Sequence, residues 1–358
     1  MNLKRVIAGC IVIAACTSVA RSSDNDTLTG VRLEGSVYVE ANYGHRFSGV
    51  ERNRWDFPHT VVAAAADFGR GWTVETELEY ERMYEDGEWC NDHWDNFAVN
   101  RLFVAKTWTP AVGLRLGVVG VQLGITNCGG PALTIYDPVS EAALMPMTWH
   151  EAGGAFFGQA GRWTYEVAAL LYGAAPLRDS RAIGVAAALH YSPMEGMRVG
   201  AGMFRGRADR GNIHSCSPDF IDGRRLTYAV AEAELEKGGW TASASMIYTD
   251  ADDARSVGVE AGYDVMTGLE TGLGLTPYVR YDGVFGVEEE AICKWTAGVG
   301  VELPAGFSLK AEYGRCRHRG ALTEHALDVS AFCQVRSATY PPHLRPWSVA
   351  ERAEVGRV

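Results

Sequence analysis

The stretch Trp72-Thr73-Val74-Glu75-Thr76-Glu77-Leu78-Glu79-Tyr80-Glu81-Arg82 alternates without a break. Trp72, Val74, Thr76, Leu78 and Tyr80 share one parity, and Thr73, Glu75, Glu77, Glu79 and Glu81 share the other. A period of two puts successive side chains on opposite faces of a β-strand. Four carboxylates on one face require water there, because burying unpaired charge is prohibitive. The opposite face, apolar with aromatics at both ends, is fitted to a non-aqueous medium.

The same pattern recurs on both sides of this strand. Val31 to Tyr43 sets Val31, Leu33, Val37, Val39 and Tyr43 against Arg32, Glu34, Ser36, Glu40 and Asn42. Arg162 to Gly173, Trp240 to Tyr248, Lys294 to Leu303 and Gly306 to Gly314 alternate in the same way. Further runs at 59–68, 97–108, 112–122, 149–159, 182–191, 197–206, 225–236, 255–264, 274–282 and 321–333 bring the expected count to about sixteen strands, each near the length that crosses an outer membrane when tilted. The facing of Phe97 to Trp108 cannot be assigned from its pattern.

Connections alternate in length. Tight turns are expected at Gly69 to Gly71, Thr109 to Val112, Gln159 to Arg162, Pro193 to Gly196, Lys237 to Gly239 and Pro304 to Gly306, with Val265 to Leu273 as a longer exception. Long polar segments occupy the other side, including the residues after Tyr43 as far as Pro58. Short turns at one end and long loops at the other mark outer-membrane barrels, as do aromatics at strand ends, which form girdles at the interfaces. Lipid offers no hydrogen bonds, so such a sheet must close on itself. The fold expected is therefore all-β: a transmembrane antiparallel β-barrel of about sixteen strands, wide enough for an aqueous channel.

Between Leu123 and Trp149 the alternation lapses. Pro131, Pro138, Pro146 and the Gly129-Gly130 pair deny this stretch a long helix or a central strand, although Val139 to Met145 suits one or two helical turns. Loops of this length in a compact domain are usually functional. As the third long connection, it is expected to fold into the lumen and narrow it.

Of the 358 residues, 41 are Gly and 15 are Tyr, as suits many short strands, and the net charge of −11 argues against nucleic acid as a partner. Residues 1–20 read as a signal peptide: Lys4 and Arg5, then an apolar run, then Ser18-Val19-Ala20 as a cleavage site. A competing reading takes Ile13-Ala14-Ala15-Cys16 as a lipoprotein box. The domain scheme is then signal peptide 1–20, barrel 21–335 and a C-terminal tail 336–358. Cys90, Cys128, Cys216, Cys293, Cys316 and Cys333 remain, as small half-buried residues or as loop disulfides. No C-x-x-C pair or other metal-ligand spacing is present, and no cofactor motif.

The residues Arg115-Leu116-Gly117, Gly124-Ile125-Thr126-Asn127, Tyr136-Asp137-Pro138, Pro146-Met147-Thr148-Trp149-His150-Glu151 and Gly161-Arg162-Trp163-Thr164-Tyr165-Glu166 resemble the phosphate-selective porin O and P family, nearest its porin-like members in Bacteroidetes. The resemblance implies an outer-membrane channel, often trimeric. It departs in chemistry: that family's selectivity rests on basic residues, and 123–148 contains neither Lys nor Arg. Asp137, Glu141, His150 and Glu151 are the candidate pore constriction. Glu75, Glu77, Glu79, Glu81, Glu166, Arg280, Lys294, Glu302, Lys310 and Glu312 are the candidate lumen-facing residues. Carboxylate rings favour cations, so the expectation is a passive, weakly cation-preferring porin for small hydrophilic solutes. The alternatives are an outer-membrane barrel enzyme with a rim active site, for which His45, His93, His214 and His318 offer no motif partner, and a structural or adhesin barrel with a plugged lumen.

The chain also departs from the usual barrel ending in a terminal aromatic. Leu327, Val329, Ala331, Cys333 and Val335 stay in phase, and Phe332 falls on the other parity.

Overall fold

Period-two alternation becomes sixteen long antiparallel strands that close into a barrel. The computed structural model describes residues 31–47, 52–85, 88–89, 97–129, 133–147, 149–171, 182–209, 222–250, 253–269, 271–286, 292–318 and 323–336. The signal segment 1–20, the tail beyond Arg336, Cys90, Cys216, His93 and His214 lie outside the described residues.

In chain order the first elements are β1 (Arg32–Arg46), β2 (Arg52–Asp67), β3 (Trp72–Glu85), a two-residue β4 (Glu88–Trp89), β5 (Phe97–Thr109) and β6 (Val112–Gly120). Two short helices follow, α1 (Gly124–Gly129) and α2 (Val139–Ala142). The wall resumes with β7 (His150–Ala160), β8 (Trp163–Leu170), β9 (Ala182–Met194), β10 (Met197–Asp209), β11 (Asp222–Lys237) and β12 (Trp240–Thr249). It ends with β13 (Ala254–Tyr263), β14 (Gly274–Phe285), β15 (Ile292–Leu303), β16 (Phe307–His318) and β17 (Thr323–Arg336). Each long strand pairs with its sequence neighbours, and β1 pairs with β17 from Ser36↔Arg336 to Arg46↔Ala326, which closes the ring. This is the architecture of an outer-membrane β-barrel. Among the described residues, no helix is long and apolar enough to cross a membrane.

The apolar parity faces outward. Leu78 is 49% exposed while its neighbour Glu79 is 4% exposed, and Val167 beside Glu166 repeats the contrast. Exposed aromatics gather at both strand ends. Trp163 packs at a tilt against Tyr191 and Trp240 against Tyr263 at the short-turn end; Tyr43–Trp55, Tyr80–Phe97 and Tyr281–Trp295 do so at the other, with ring centroids 4.6–5.0 Å apart. Such cross-strand pairs stabilise the sheet as well as matching the interface.

One place departs from the sequence expectation, and local geometry explains two others. The polar residues before Pro58 are strand, not loop, since β2 starts at Arg52. A register shift between Phe57 and Thr60 accommodates Pro58, because a bulge frees the ladder position that proline cannot fill. In β5, Glu77 pairs with Arg101 and Leu78 with Val99. Asn100 is thus an extra residue that reverses the parity, which is why this strand's facing cannot be read from its pattern. The bend from Val265 to Leu273 is a built turn: Asp264 Oδ1 accepts from the amides of Met266 and Leu275 at 3.0 and 2.9 Å.

Candidate functional site

The stretch 123–149, the third connection on the long-loop side, folds inward and crosses the barrel. It leaves the wall at β6, re-enters it at β7, and touches the opposite wall in between. Its own ends are tied first. Asn127 Nδ2 donates to the Pro146 carbonyl and its Oδ1 accepts from the Trp149 amide, both at 2.9 Å. Glu141 then accepts from the amides of Ile125 and Thr126, each at 2.9 Å, so α2 holds the start of α1. This carboxylate has no solvent exposure. Burial raises its pKa above the usual carboxylate range, opposed by the Thr126 and Ile125 amides and the Ser245 hydroxyl.

Polar anchors fix the loop to the far wall. Ser140 Oγ donates to Asp282 Oδ1 on β14 at 2.7 Å. The Ile135 amide donates to Glu312 Oε2 on β16 at 3.0 Å, and Lys310 Nζ donates to the Thr134 carbonyl at 3.2 Å. Tyr136 lies under the Arg54 guanidinium of β2, 5.3 Å from its ring centroid. Apolar seating completes the attachment: Trp149, 1% exposed, packs edge-on against Phe204 and Tyr228 at 4.9 and 5.9 Å, within a cluster that includes Leu123, Val121, Leu144 and Met145. Burying each such side chain contributes about 1.5–3 kcal/mol.

Glycine on the inner wall makes room for this loop. A Cβ at Gly258 of β13 would stand 2.4 Å from Ser140 Oγ and 2.6 Å from Arg280 Nη2. We expect Gly258→Val to push α2 off the wall at a cost of about 1–3 kcal/mol. New protease cleavage within 123–149, with the barrel still folded by gel mobility, checks this; an unchanged cleavage pattern would refute it.

Of the four constriction candidates, Glu141 and Glu151 are enclosed. Glu151 is 1% exposed and accepts from Trp149 Nε1 at 3.2 Å. Asp137 and His150 are half-buried, His150 opposite Gly120 where β7 begins. Glu79, Glu166, Arg280 and Glu312 are buried on the inner parity; Glu75, Glu77, Glu81, Lys294 and Lys310 are half-buried and Glu302 is exposed.

Many of these charges are paired by inner-face residues that the sequence reading did not single out. Arg115 Nη2 lies 2.5 Å from Glu166, and Arg101 Nε lies 3.8 Å from Glu77. His59 bonds Glu79, and Asn100 Nδ2 donates to Glu79 at 2.6 Å. Arg54 pairs with Asp56 at 2.5 Å. Parity could have placed Arg115 opposite the apolar Leu116; it could not place Arg101, which lies beyond the bulge.

No family model matches the sequence, and no curated protein matches it. Solved structures do. The anion-selective porin from Comamonas acidovorans is similar, with a TM-score of 0.58 at 14% identity over 85% of this chain and 99% of that one. OmpF of Salmonella typhi, in complex with daunomycin, gives 0.60 at 12% identity over 85% and 97%. The trimer form of in-vitro folded OmpT, an outer membrane protein of Vibrio cholerae, gives 0.53 at 12% identity over 86% and 100%. The likeness is to outer-membrane porins in fold; the narrower phosphate-selective O and P family is not distinguished by it.

Proposed function

We propose that the protein is an outer-membrane porin, a passive diffusion channel for small hydrophilic solutes narrowed by the inward loop, and not an enzyme. The observation that carries this reading is a closed sixteen-strand wall, apolar outside and charged inside, with residues 123–149 anchored across its interior. Barrels of this size enclose water rather than a packed core. The porins it resembles in fold support the same reading and an outer-membrane location; in this reading residues 1–20 are the signal peptide removed on export. The trimer form of the Vibrio OmpT makes a homotrimer the natural assembly.

Asp137 and His150, half-buried on the loop and its exit, line the passage, while Glu141 and Glu151 hold its shape from behind. Ion preference is weak. Glu75, Glu81 and the net charge of −11 draw cations, but Arg101 and Arg115 offset part of the carboxylate field. In planar bilayers we expect discrete steps in potassium chloride and a reversal potential showing potassium favoured over chloride by no more than a few-fold. Folded protein that gives no steps would mean a plugged, structural barrel; chloride preference would overturn the selectivity alone.

A further inference from the structure

Where α1 meets the wall, three ligand-bearing side chains from distant parts of the chain come together. Cys128 is on α1, His190 on β9 and Glu232 on β11; they are 1%, 8% and 7% exposed. Cys128 Sγ lies 3.9 Å from Glu232 Oε1, and His190 Nε2 lies 2.7 Å from the same oxygen. One donor atom from each residue falls within 4.8 Å of the others. Chain spacing hides the cluster, since 104 residues separate Cys128 from Glu232.

We propose that Cys128, His190 and Glu232 form a binding site for a divalent transition-metal cation of the zinc class, which clamps the inward loop to the barrel wall. The donor set is a thiolate, an imidazole and a carboxylate, the three ligand types that zinc takes at about 2.0–2.3 Å. Donors around a tetrahedral ion at those lengths stand about 3.3–3.8 Å apart. The thiol and carboxylate are already close to that spacing; the imidazole and carboxylate must part by less than the width of an atom, the ion replacing the hydrogen bond between them.

Charge on the site suits a dication. Arg198 Nη2 lies 2.9 Å from Glu234 and 3.6 Å from Glu232. Its single positive charge is balanced by Glu234, which leaves Glu232 and the ionised thiol as two negative charges facing the ion. Binding replaces the thiol proton, which leaves to solvent, as metal ligation of cysteine requires.

The imidazole is also held for this role. A Cβ on Gly200, in the neighbouring strand β10, would stand 2.2 Å from His190 Cδ2 and 2.9 Å from Nε2. Glycine there lets the ring lie against the wall with Nε2 turned to the cluster. The fourth coordination position is left for water or a further loop group. Because Cys128 travels with the loop and the other two ligands with the wall, occupancy couples a cation to the position of 123–149.

The test is equilibrium binding of zinc to the full folded protein in detergent, read by competition with a chromophoric chelator, with cadmium as a second probe through its thiolate charge-transfer absorption. We expect one equivalent at micromolar or tighter affinity, a cadmium–thiolate band, and loss of both in Cys128→Ser. Glu232→Gln and Gly200→Ala retain the thiol and should weaken binding at least tenfold. Heat-modifiable gel mobility confirms that each variant is folded. Binding that persists unchanged in Cys128→Ser, or a wild-type protein that takes up no zinc, overturns the proposal. These readouts do not depend on conduction, so they stand or fall apart from the porin reading.

Discussion

Replacing Arg280 with alanine is expected to lower the unfolding free energy by about 3–5 kcal/mol, the usual cost of removing one partner from a buried ionic cluster. The guanidinium is 3% exposed. Its Nη1 lies 3.1 Å from Glu260, and its Nε and Nη2 lie 3.0 and 2.9 Å from the two oxygens of Asp282. Both carboxylates are 1% exposed, and Asp282 is also the acceptor for Ser140 of the inward loop. Alanine therefore leaves two acids facing each other without a cation, at the point where loop and wall join. Lysine retains the charge but not the planar fork that spans both carboxylates, so Arg280→Lys should recover only part of the loss. The midpoint of urea unfolding in detergent at neutral pH measures this. A shift equivalent to less than about 1 kcal/mol for the alanine variant would show that the cluster contributes little net.

Arg280 also shows how far the sequence carries. Its inward parity was legible because Val279 and Tyr281 flank it in a clean alternation, and the same logic found the sixteen strands, the tight turns and the outward aromatics. It also marked 123–149 as the loop that enters the barrel. What alternation cannot supply is partnership across strands. That Arg280 meets Glu260 follows from the β13–β14 register, Glu260↔Arg280, and that Arg115 reaches Glu166 follows from β7 lying between their strands. Register is set by turns and bulges, and the bulge at Asn100 shows how one extra residue defeats the pattern. The cluster of Cys128, His190 and Glu232 is further out of reach, because a non-periodic loop brings its cysteine to the wall. Within that loop, α1 was missed for a local reason: glycines at both of its ends read as breakers, and its first amides are satisfied by Glu141, sixteen residues beyond Ile125.

Glu141 separates a charged constriction from a structural pin. If its carboxylate acted on passing ions, Glu141→Gln would shift the reversal potential and leave the loop in place. The geometry predicts the reverse. Two buried amides converge on the two carboxylate oxygens, and a glutamine offers one accepting oxygen and one amide group that cannot accept. A bond to a charged acceptor contributes about 1.5–3 kcal/mol, so Glu141→Ala forfeits roughly 3–5 kcal/mol from the loop, with the glutamine variant losing about half. The strand ladders do not pass through Glu141, so this loss is expected to free 123–149 rather than unfold the wall. The expected signs are protease cleavage confined to the loop, larger and noisier single-channel conductance, and a urea midpoint moved less than in Arg280→Ala. An intact, uncleaved loop accompanied by a shifted reversal potential would return Glu141 to the pore. A freed loop with the ion preference unchanged would place its action in the packing behind the passage, where its lack of solvent exposure already sets it.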